Sequence, residues 1–229
     1  MPYFYMDTWY WILVLPALLI SLWAQYRVSS TFRKYNEVRS VRGFRAEEVV
    51  RSILDENGLY QVQIERTSGE LSDHYDPSSK VIRLSDSTYQ NSSVAAIGVA
   101  AHETGHALQY AAGYFPIRIR QAIIPITQLG STLAVPLALL GIVLSFDFLV
   151  TAGILLFCVV VFFQLVTLPV EFNASRRAIK TLRERNILEG EELEGAEKVL
   201  RAAALTYVAA LLVALGNLFR LILLSRRRR

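Results

Sequence analysis

Cysteine, histidine and methionine are all scarce in this chain of 229 residues, which has one cysteine, three histidines and two methionines. With only Cys158 there can be no intrachain disulfide, so the fold does not depend on a disulfide framework. Charged residues are also few, at 19% of the chain against 53% hydrophobic residues. That balance is too apolar for an ordinary soluble domain, and it points to a membrane protein.

Basic residues are absent ahead of the first long apolar run, which extends from Trp9 to Tyr26. The run therefore lacks the basic n-region of a secretory signal peptide, and it also lacks a small-residue cleavage site. We interpret it as a retained membrane anchor. Three further apolar runs follow at residues 122–146, 148–170 and 202–224. Because each is near the roughly 20 residues needed to cross a bilayer core, the sequence predicts a mainly α membrane protein with about four hydrophobic helices.

The distribution of basic residues predicts which side of the membrane each segment faces. Lys and Arg are frequent in residues 27–45, directly after the first apolar run, whereas none precedes that run. By the positive-inside rule we expect a multi-pass protein of the plasma membrane, with the N-terminus outside and the region after residue 27 in the cytoplasm. The four arginines at residues 226–229 do not fit, because four complete spans would place them outside. The fourth run is therefore either a full span or a re-entrant or interfacial helix.

The basic tail at residues 226–229 could also suggest a nucleic-acid site. A solvated charge run, or a contact with phospholipid headgroups, explains four arginines next to an apolar helix better. We therefore expect the lipid bilayer to be a partner of this protein, and we expect no nucleic-acid partner.

Two of the three histidines lie four residues apart in His102-Glu-Thr-Gly-His106, inside an apolar segment that favours a helix. Histidines at this spacing project from the same helix face, so both can reach one Zn²⁺. Glu103 leaves the helix about 100° from His102, where it cannot be a third ligand but can reach a water whose pKa the metal lowers. This is the HExxH pattern of metalloproteases, in which Glu103 is the general base.

Three short segments with β character lie between residues 60 and 84, ahead of this zinc helix. Turn-forming residues separate the segments, so we predict a small antiparallel sheet. Ser92 or Ser93 is placed to cap the zinc helix at its start, and Gly113 is placed to end it.

A catalytic zinc site normally has a third protein ligand and one open position. Asp147 is excluded, because it lies at the far tip of a two-span hairpin about 30 Å long. Glu171 follows the point where the third apolar run leaves the membrane on the zinc side, and a carboxylate at that depth is a functional candidate. Its alternative role is an ion pair with Arg176 or Arg177. His74 is the competing candidate, either as a ligand or as a group that stabilises the transition state.

These features divide the chain into five segments. They are an N-terminal anchor at residues 1–26, a cytoplasmic catalytic region with a β-hairpin and the HExxH helix at 27–121, a two-span hairpin at 122–170, a third-ligand helix with an acidic segment at 171–199, and a C-terminal hydrophobic helix with a basic tail at 200–229.

The HExxH motif, Asp-His-Tyr-Asp-Pro at residues 73–77, and Leu-Pro-Val-Glu-Phe-Asn-Ala-Ser-Arg-Arg-Ala at residues 168–178 resemble the bacterial membrane-bound neutral zinc metallopeptidases, the YugP-like family. The resemblance covers nearly the whole chain. More distantly, the order of elements is similar to HtpX and the CAAX-prenyl endopeptidases, which implies a gluzincin-like arrangement around the zinc helix. In those relatives a Glu-(Phe/Tyr)-x-Ala-Asp pattern supplies a zinc ligand, so the resemblance implies Glu171 as a ligand here. This chain has Ser175 where those relatives have Asp.

The leading hypothesis is a membrane-anchored zinc metallopeptidase that hydrolyses peptide bonds as an endopeptidase. Its Zn²⁺ ligands would be His102, His106 and Glu171, and Glu103 would be the general base. Protein or peptide substrates, membrane proteins among them, are the expected partners. The alternatives are an intramembrane protease of the site-2 type and a non-catalytic zinc-binding scaffold or chaperone.

The strand before residue 76 suggests how substrate is held. If it forms the sheet edge nearest the zinc helix, it can bind an extended peptide through main-chain hydrogen bonds. His74 or Tyr75, which alternate to opposite faces, would then donate a hydrogen bond to the developing oxyanion. The alternative is that His74 and Asp76 only stabilise a turn.

Overall fold

The computed structural model describes residues 7–226, and most of them lie in helices, which confirms the mainly α prediction. Within this part of the chain, a π-helical turn at Tyr10–Val14 leads into six α-helices and three strands. In chain order the elements are α1 (Leu15–Asn36), α2 (Ala46–Glu56), β1 (Gln63–Thr67), β2 (His74–Asp76), β3 (Val81–Ser85), α3 (Val94–Ala111), α4 (Phe115–Leu144), α5 (Asp147–Glu184) and α6 (Gly190–Arg226).

Four helices among the described residues are long and apolar enough to cross a membrane. They are the continuous helix Tyr10–Asn36 together with α4, α5 and α6. The predicted number of hydrophobic helices is therefore confirmed. The fourth apolar run forms the later part of α6, a helix of 37 residues. Residues 227–229 of the basic tail lie outside the described residues.

The chain forms two compact units. The first, which we call the helical unit, contains the described residues 7–25, 118–169 and 205–226. The second, which we call the mixed unit, contains residues 26–117 and 170–204. Helices α1, α4, α5 and α6 each contribute residues to both units.

Small and apolar side chains from α4, α5 and α6 form the core of the helical unit. Ala134, Ala138, Phe157 and Leu221 are buried in it. Gly153 lets α5 approach α4 closely, because a Cβ at this position would lie 2.6 Å from the carbonyl oxygen of Ala134. Helices α4 and α5 thus pack as a tight pair.

An ion pair joins the first and the last described helix of the helical unit. Asp7 accepts hydrogen bonds from the backbone N–H groups of Trp9 at 2.9 Å and Tyr10 at 3.1 Å. Its other carboxylate oxygen accepts a hydrogen bond from Arg220 Nε at 2.8 Å, and Arg220 is buried. Residue 7 precedes the first apolar helix and residue 220 is near the end of the fourth. The two helix ends therefore lie side by side.

The mixed unit contains a three-stranded sheet with the strand order β1-β3-β2. Strand β2 is antiparallel to β3, with His74 opposite Arg83, whereas β1 is parallel to β3. The prediction of an antiparallel sheet is therefore wrong for β1, and the sheet is mixed. Local alternation identifies strands but not their order. Here the chain after β1 crosses to the far side of β3, where Asp73 accepts hydrogen bonds from the Ser85 backbone N–H at 2.8 Å and hydroxyl at 2.9 Å.

Helix α3 lies at the centre of the mixed unit. On one side Ala96 and Ala100 pack in a cluster with α2 and the sheet. On another side Ile97 and Ala101 pack in a cluster with α5 and α6. Because most of the contacting side chains of α3 are small, its backbone lies close to both layers.

Both ends of α3 are defined by the residues that the sequence indicates. The Ser93 hydroxyl accepts a hydrogen bond from the Ala96 backbone N–H at 3.1 Å and donates one to Asn36 Oδ1 at 2.8 Å. Gly113, with φ of +61°, follows the C-terminal end. Of the two serines proposed as the cap, Ser93 is the one that acts.

Replacing Ser93 by Ala is expected to destabilise the protein by about 1–2 kcal/mol, because it removes a buried helix cap and a buried hydrogen bond. The measurement is thermal or denaturant unfolding of the purified protein in detergent. Ser92→Ala is the matched control, and its effect is expected to stay within about 0.5 kcal/mol. Equal losses in the two variants would contradict the capping role.

Candidate metal centre

The two histidines of the HExxH motif meet a carboxylate from α5. Ligand atoms of His102, His106 and Glu171 all lie within 4.8 Å of one another. Glu171 Oε2 is 3.3 Å from His102 Nε2 and 3.5 Å from His106 Nε2. All three side chains are largely buried, with Glu171 only 2% exposed.

These distances allow a test of whether zinc fits. A tetrahedral ion with ligand bonds of about 2.1 Å places its ligand atoms about 3.4 Å apart. The two nitrogen–oxygen separations of 3.3 and 3.5 Å agree with that spacing. Two imidazole nitrogens and a carboxylate oxygen are also donor types that zinc binds. The residues present therefore fit a zinc ion with three protein ligands.

A glycine inside the motif brings α5 to this distance. A Cβ on Gly105 would lie 2.7 Å from the carbonyl oxygen of Ala174, closer than a Cβ can approach an oxygen. Ala174 is three residues after Glu171 on the same helix. The absence of a side chain at Gly105 is therefore what allows the Glu171 carboxylate to reach the two imidazoles.

The ring nitrogens that face away from Glu171 have their own partners. His102 Nδ1 is 3.1 Å from Ser175 Oγ on α5, and His106 Nδ1 is 3.0 Å from Gln109 Oε1 on α3. Metal-ligating histidines characteristically use their second nitrogen in this way, which fixes the ring orientation. Ser175 thus contacts a histidine of the site.

Glu103 lies beside this cluster and has a different environment. The side chain is buried, at 8% exposed. Burial raises the pKa of the Glu103 carboxyl, while the neighbouring His102 and His106 act in the opposite direction. A carboxylate whose basicity is increased by burial is suited to accept a proton near neutral pH.

The two other candidate residues are separated by the pleat of β2. His74 is exposed, its Nδ1 lies 2.9 Å from the Ser72 carbonyl oxygen, and it is not part of the metal-binding cluster found among the described residues. Tyr75 faces α3, and its ring centroid is 5.7 Å from that of Tyr110. Burial raises the pKa of the Tyr75 phenol. Of the two, Tyr75 is therefore the residue that points toward the zinc helix.

Asp76 has the turn-stabilising role that was the alternative for this segment. Its carboxylate accepts hydrogen bonds from the backbone N–H and hydroxyl groups of Ser78 and Ser79. These hydrogen bonds, led by that of the Ser78 hydroxyl, hold the pKa of Asp76 well below its usual range. The Asp76 turn connects β2 to β3 and so fixes where His74 and Tyr75 lie.

The profile of a family described as "Putative neutral zinc metallopeptidase" matches residues 10–226. The chain belongs to this family. It is also 47% identical over 212 residues to "Putative membrane protease YugP" of Bacillus subtilis (strain 168), a match that covers 93% of this chain and 94% of that protein. No solved structure matches the chain. The resemblance to the YugP-like family is confirmed, whereas the similarity to HtpX and the CAAX-prenyl endopeptidases stays a prediction.

Membership of a zinc metallopeptidase family agrees with the donor set found in the structure. Which residues bind the metal and which catalyse stay predictions. Sequence reasoning did not identify Gly105 as the point of helix contact, or Gln109 and Asn173 as partners of the site. A glycine between the motif histidines and a glutamine three residues after His106 are the only signals that the sequence offers for these roles.

Gly105→Ala is expected to weaken zinc binding by at least about tenfold, since displacing ligands by even about 0.5 Å disrupts a metal site. Zinc affinity, measured by competition with a chelating dye, tests this expectation. Gly98→Ala is the matched control on the same helix, where the added Cβ would meet the Ala196 methyl group at 3.2 Å. It should lower thermal stability but leave zinc affinity nearly unchanged. Wild-type zinc affinity in Gly105→Ala would show that α5 does not need this close approach.

Proposed function

We propose that this protein is a membrane-anchored zinc endopeptidase that hydrolyses peptide bonds of protein substrates. The observation that carries the proposal is the convergence of His102, His106 and Glu171 beside the buried Glu103 carboxylate. The description of the family supports a zinc-dependent peptidase, and the name of the YugP relative supports a protease of the membrane.

In this proposal the three ligands hold the ion and Glu103 carries the proton. A bound zinc would supply Lewis acidity, which activates a water and polarises the scissile carbonyl. Glu103 accepts a proton from the attacking water and passes it to the leaving amine. Burial raises the pKa of the Glu103 carboxyl, which favours the first of these transfers.

The edge strand β2 is the proposed site for the substrate main chain. The strand order β1-β3-β2 leaves one side of β2 without a neighbouring strand in the described sheet, and β2 contacts α3. An extended peptide can add to such an edge through backbone hydrogen bonds, so that recognition depends little on side chains. Tyr75 is the better placed of the two candidate oxyanion donors, because His74 is turned toward solvent.

Charges on the sheet favour hydrolysis at a water-exposed surface over cleavage inside the bilayer. Arg66 pairs with Asp86, and Arg83 pairs with Glu65, in the same unit as α3. Such exposed ion pairs would be costly in lipid. They therefore weigh against an intramembrane protease of the site-2 type.

Glu103→Gln is expected to retain near-stoichiometric zinc while hydrolysis of a denatured polypeptide falls by a factor of about 100 or more, since the base is removed and the ligands remain. Zinc content and peptidase rate are measured on the same sample. Glu171→Gln is the contrasting variant, and it is expected to lose most of its zinc. Wild-type turnover by Glu103→Gln would rule out the proposed mechanism. A zinc-loaded wild type without activity on any polypeptide would favour the scaffold alternative.

We further propose that the mixed unit lies in the cytoplasm and that Asp7 and Ser225 lie on the outer side of the membrane. Basic residues after the first span support the cytoplasmic side. The Asp7–Arg220 ion pair supports four complete spans. A cavity of about 430 Å³ lined by both Asp147 and Ser225 also places the α4–α5 turn at the same end as the C-terminal end of α6.

Single cysteines in a Cys158→Ser background test this topology. Cysteines replacing Tyr60 and Glu191, which are exposed residues of the mixed unit, should be protected from an impermeant thiol reagent added to intact cells. Cysteines replacing Asp147 and Ser225 should react. Labelling of the Tyr60 position from outside would show that the orientation is the opposite of the one proposed. Protection of the Ser225 position alone would show that α6 does not cross the membrane.

A further inference from the structure

Gln109 connects the metal centre to α5 through a fully buried side chain. Its Oε1 lies 3.0 Å from His106 Nδ1. Its Nε2 donates hydrogen bonds to the Val170 carbonyl oxygen at 2.8 Å and to Asn173 Oδ1 at 3.0 Å. The exposed fraction of Gln109 is 0%. One amide group therefore contacts a candidate zinc ligand on α3 and the turn of α5 that carries Glu171.

The direction of these hydrogen bonds is set by Arg177 together with the Val170 carbonyl oxygen. A guanidinium group has only donors, and Arg177 Nε lies 2.8 Å from Asn173 Oδ1. That contact makes the Asn173 oxygen an acceptor, so the Gln109 amide must direct its NH₂ group toward it. The Val170 carbonyl oxygen, also an acceptor only, requires the same orientation. Gln109 Oε1 is then left to face His106, and it can only accept.

The consequence for His106 concerns the position of its proton. Because Gln109 Oε1 can only accept, His106 must donate from Nδ1–H. A neutral His106 then has an unprotonated Nε2, which faces Glu171 Oε2 at 3.5 Å and presents a lone pair to the metal position. The direction of the hydrogen bonds that connect Arg177, Asn173, Gln109 and His106 thus selects the tautomer of His106 whose Nε2 can bind a metal.

His102 has no equivalent constraint in its contact with Ser175. A hydroxyl group donates or accepts, so the 3.1 Å contact between Ser175 Oγ and His102 Nδ1 is compatible with either tautomer. The two imidazoles of the centre therefore differ. His106 is fixed by a directional chain of hydrogen bonds, and His102 is only oriented.

We infer that Gln109 is a positioning residue of the metal centre, which acts with Asn173 and Arg177 to hold His106 protonated at Nδ1 and its Nε2 directed at the metal. The inference rests on the proposed function in taking His106 as a zinc ligand. It adds that zinc affinity depends on the polarity of side chains that do not touch the ion.

Zinc affinity in isosteric variants tests the inference. Gln109→Met keeps the length of the side chain but removes its polar groups, and Asn173→Leu removes one of the two acceptors of the Gln109 amide and leaves the Val170 carbonyl oxygen. Gln109→Met is expected to weaken zinc binding by about 10–100-fold, the usual effect of losing an outer-shell partner. Asn173→Leu is expected to weaken it by less, because the Val170 carbonyl oxygen still accepts from the Gln109 amide. Asn173→Asp retains an acceptor toward both Arg177 and Gln109 and should retain most of the affinity. Zinc is titrated by dye competition, and circular dichroism verifies folding. Equal affinity in Asn173→Leu and Asn173→Asp, or wild-type affinity in Gln109→Met, would overturn the inference.

A second measurement does not depend on catalysis or on zinc. In ¹⁵N-histidine-labelled protein, which has only three histidines, a protected Nδ1–H signal from His106 is expected in the zinc-free and zinc-loaded wild type. In Gln109→Met the His106 Nδ1 proton should exchange rapidly with water. An unprotonated His106 Nδ1 in the zinc-free wild type would overturn the inference. Failure of the proposed function would instead appear as absent hydrolysis or absent zinc with the His106 Nδ1–H signal intact.

Discussion

A buried carboxylate between two imidazoles is the interaction on which this structure depends. Glu171 is 2% exposed, and removing a carboxylate from water costs several kcal/mol unless nearby positive charge compensates. Neutral imidazoles do not supply that charge. A divalent cation bound by all three groups does. The cluster thus combines a large desolvation cost with the means of offsetting it, which is typical of a metal centre and unusual for a purely structural core.

The requirement to bury Glu171 against α3 explains the small residues around it. Helix α3 has Gly105 at the point of contact, and the facing position on α5 is Ala174. Elsewhere along α3, alanines pack against the sheet on one side and against α5 and α6 on the other. A larger side chain at these positions would stabilise a local contact but would separate the two helices that bring the ligands together. Packing and chemistry therefore impose the same sequence constraint on α3.

The sequence predicts those features that depend on local periodicity. The i, i+4 spacing of His102 and His106 requires only a helix, and the lengths of the four apolar runs are local properties. Ser93 and Gly113 likewise act within one turn of the helix they delimit. Glu171 could be predicted as a candidate member of the cluster because a carboxylate at the end of an apolar run is costly at membrane depth and therefore rare.

Features that depend on contacts between distant segments could not be predicted in this way. The parallel pairing of β1 with β3 accompanies a crossing of the chain to the far edge of β3, where Asp73 accepts hydrogen bonds from Ser85. The role of Gln109 depends on partners 61 and 64 residues away, so no local pattern distinguishes it from a structural glutamine. Tyr75 and His74 are adjacent in sequence, and only the position of β2 against α3 separates their environments.

The two outer partners of the histidines suggest that the centre assembles in one step. Ser175 holds His102 from α5, and Gln109 holds His106 from α3 while donating hydrogen bonds to α5. Neither imidazole is therefore fully oriented until α5 has docked on α3, and docking also delivers Glu171. A chain in which α5 is displaced loses Glu171, the Ser175 contact of His102 and the α5 acceptors that orient Gln109 together. In the proposed function, metal binding and packing of the mixed unit are therefore coupled, and bound zinc would stabilise the fold as well as support catalysis.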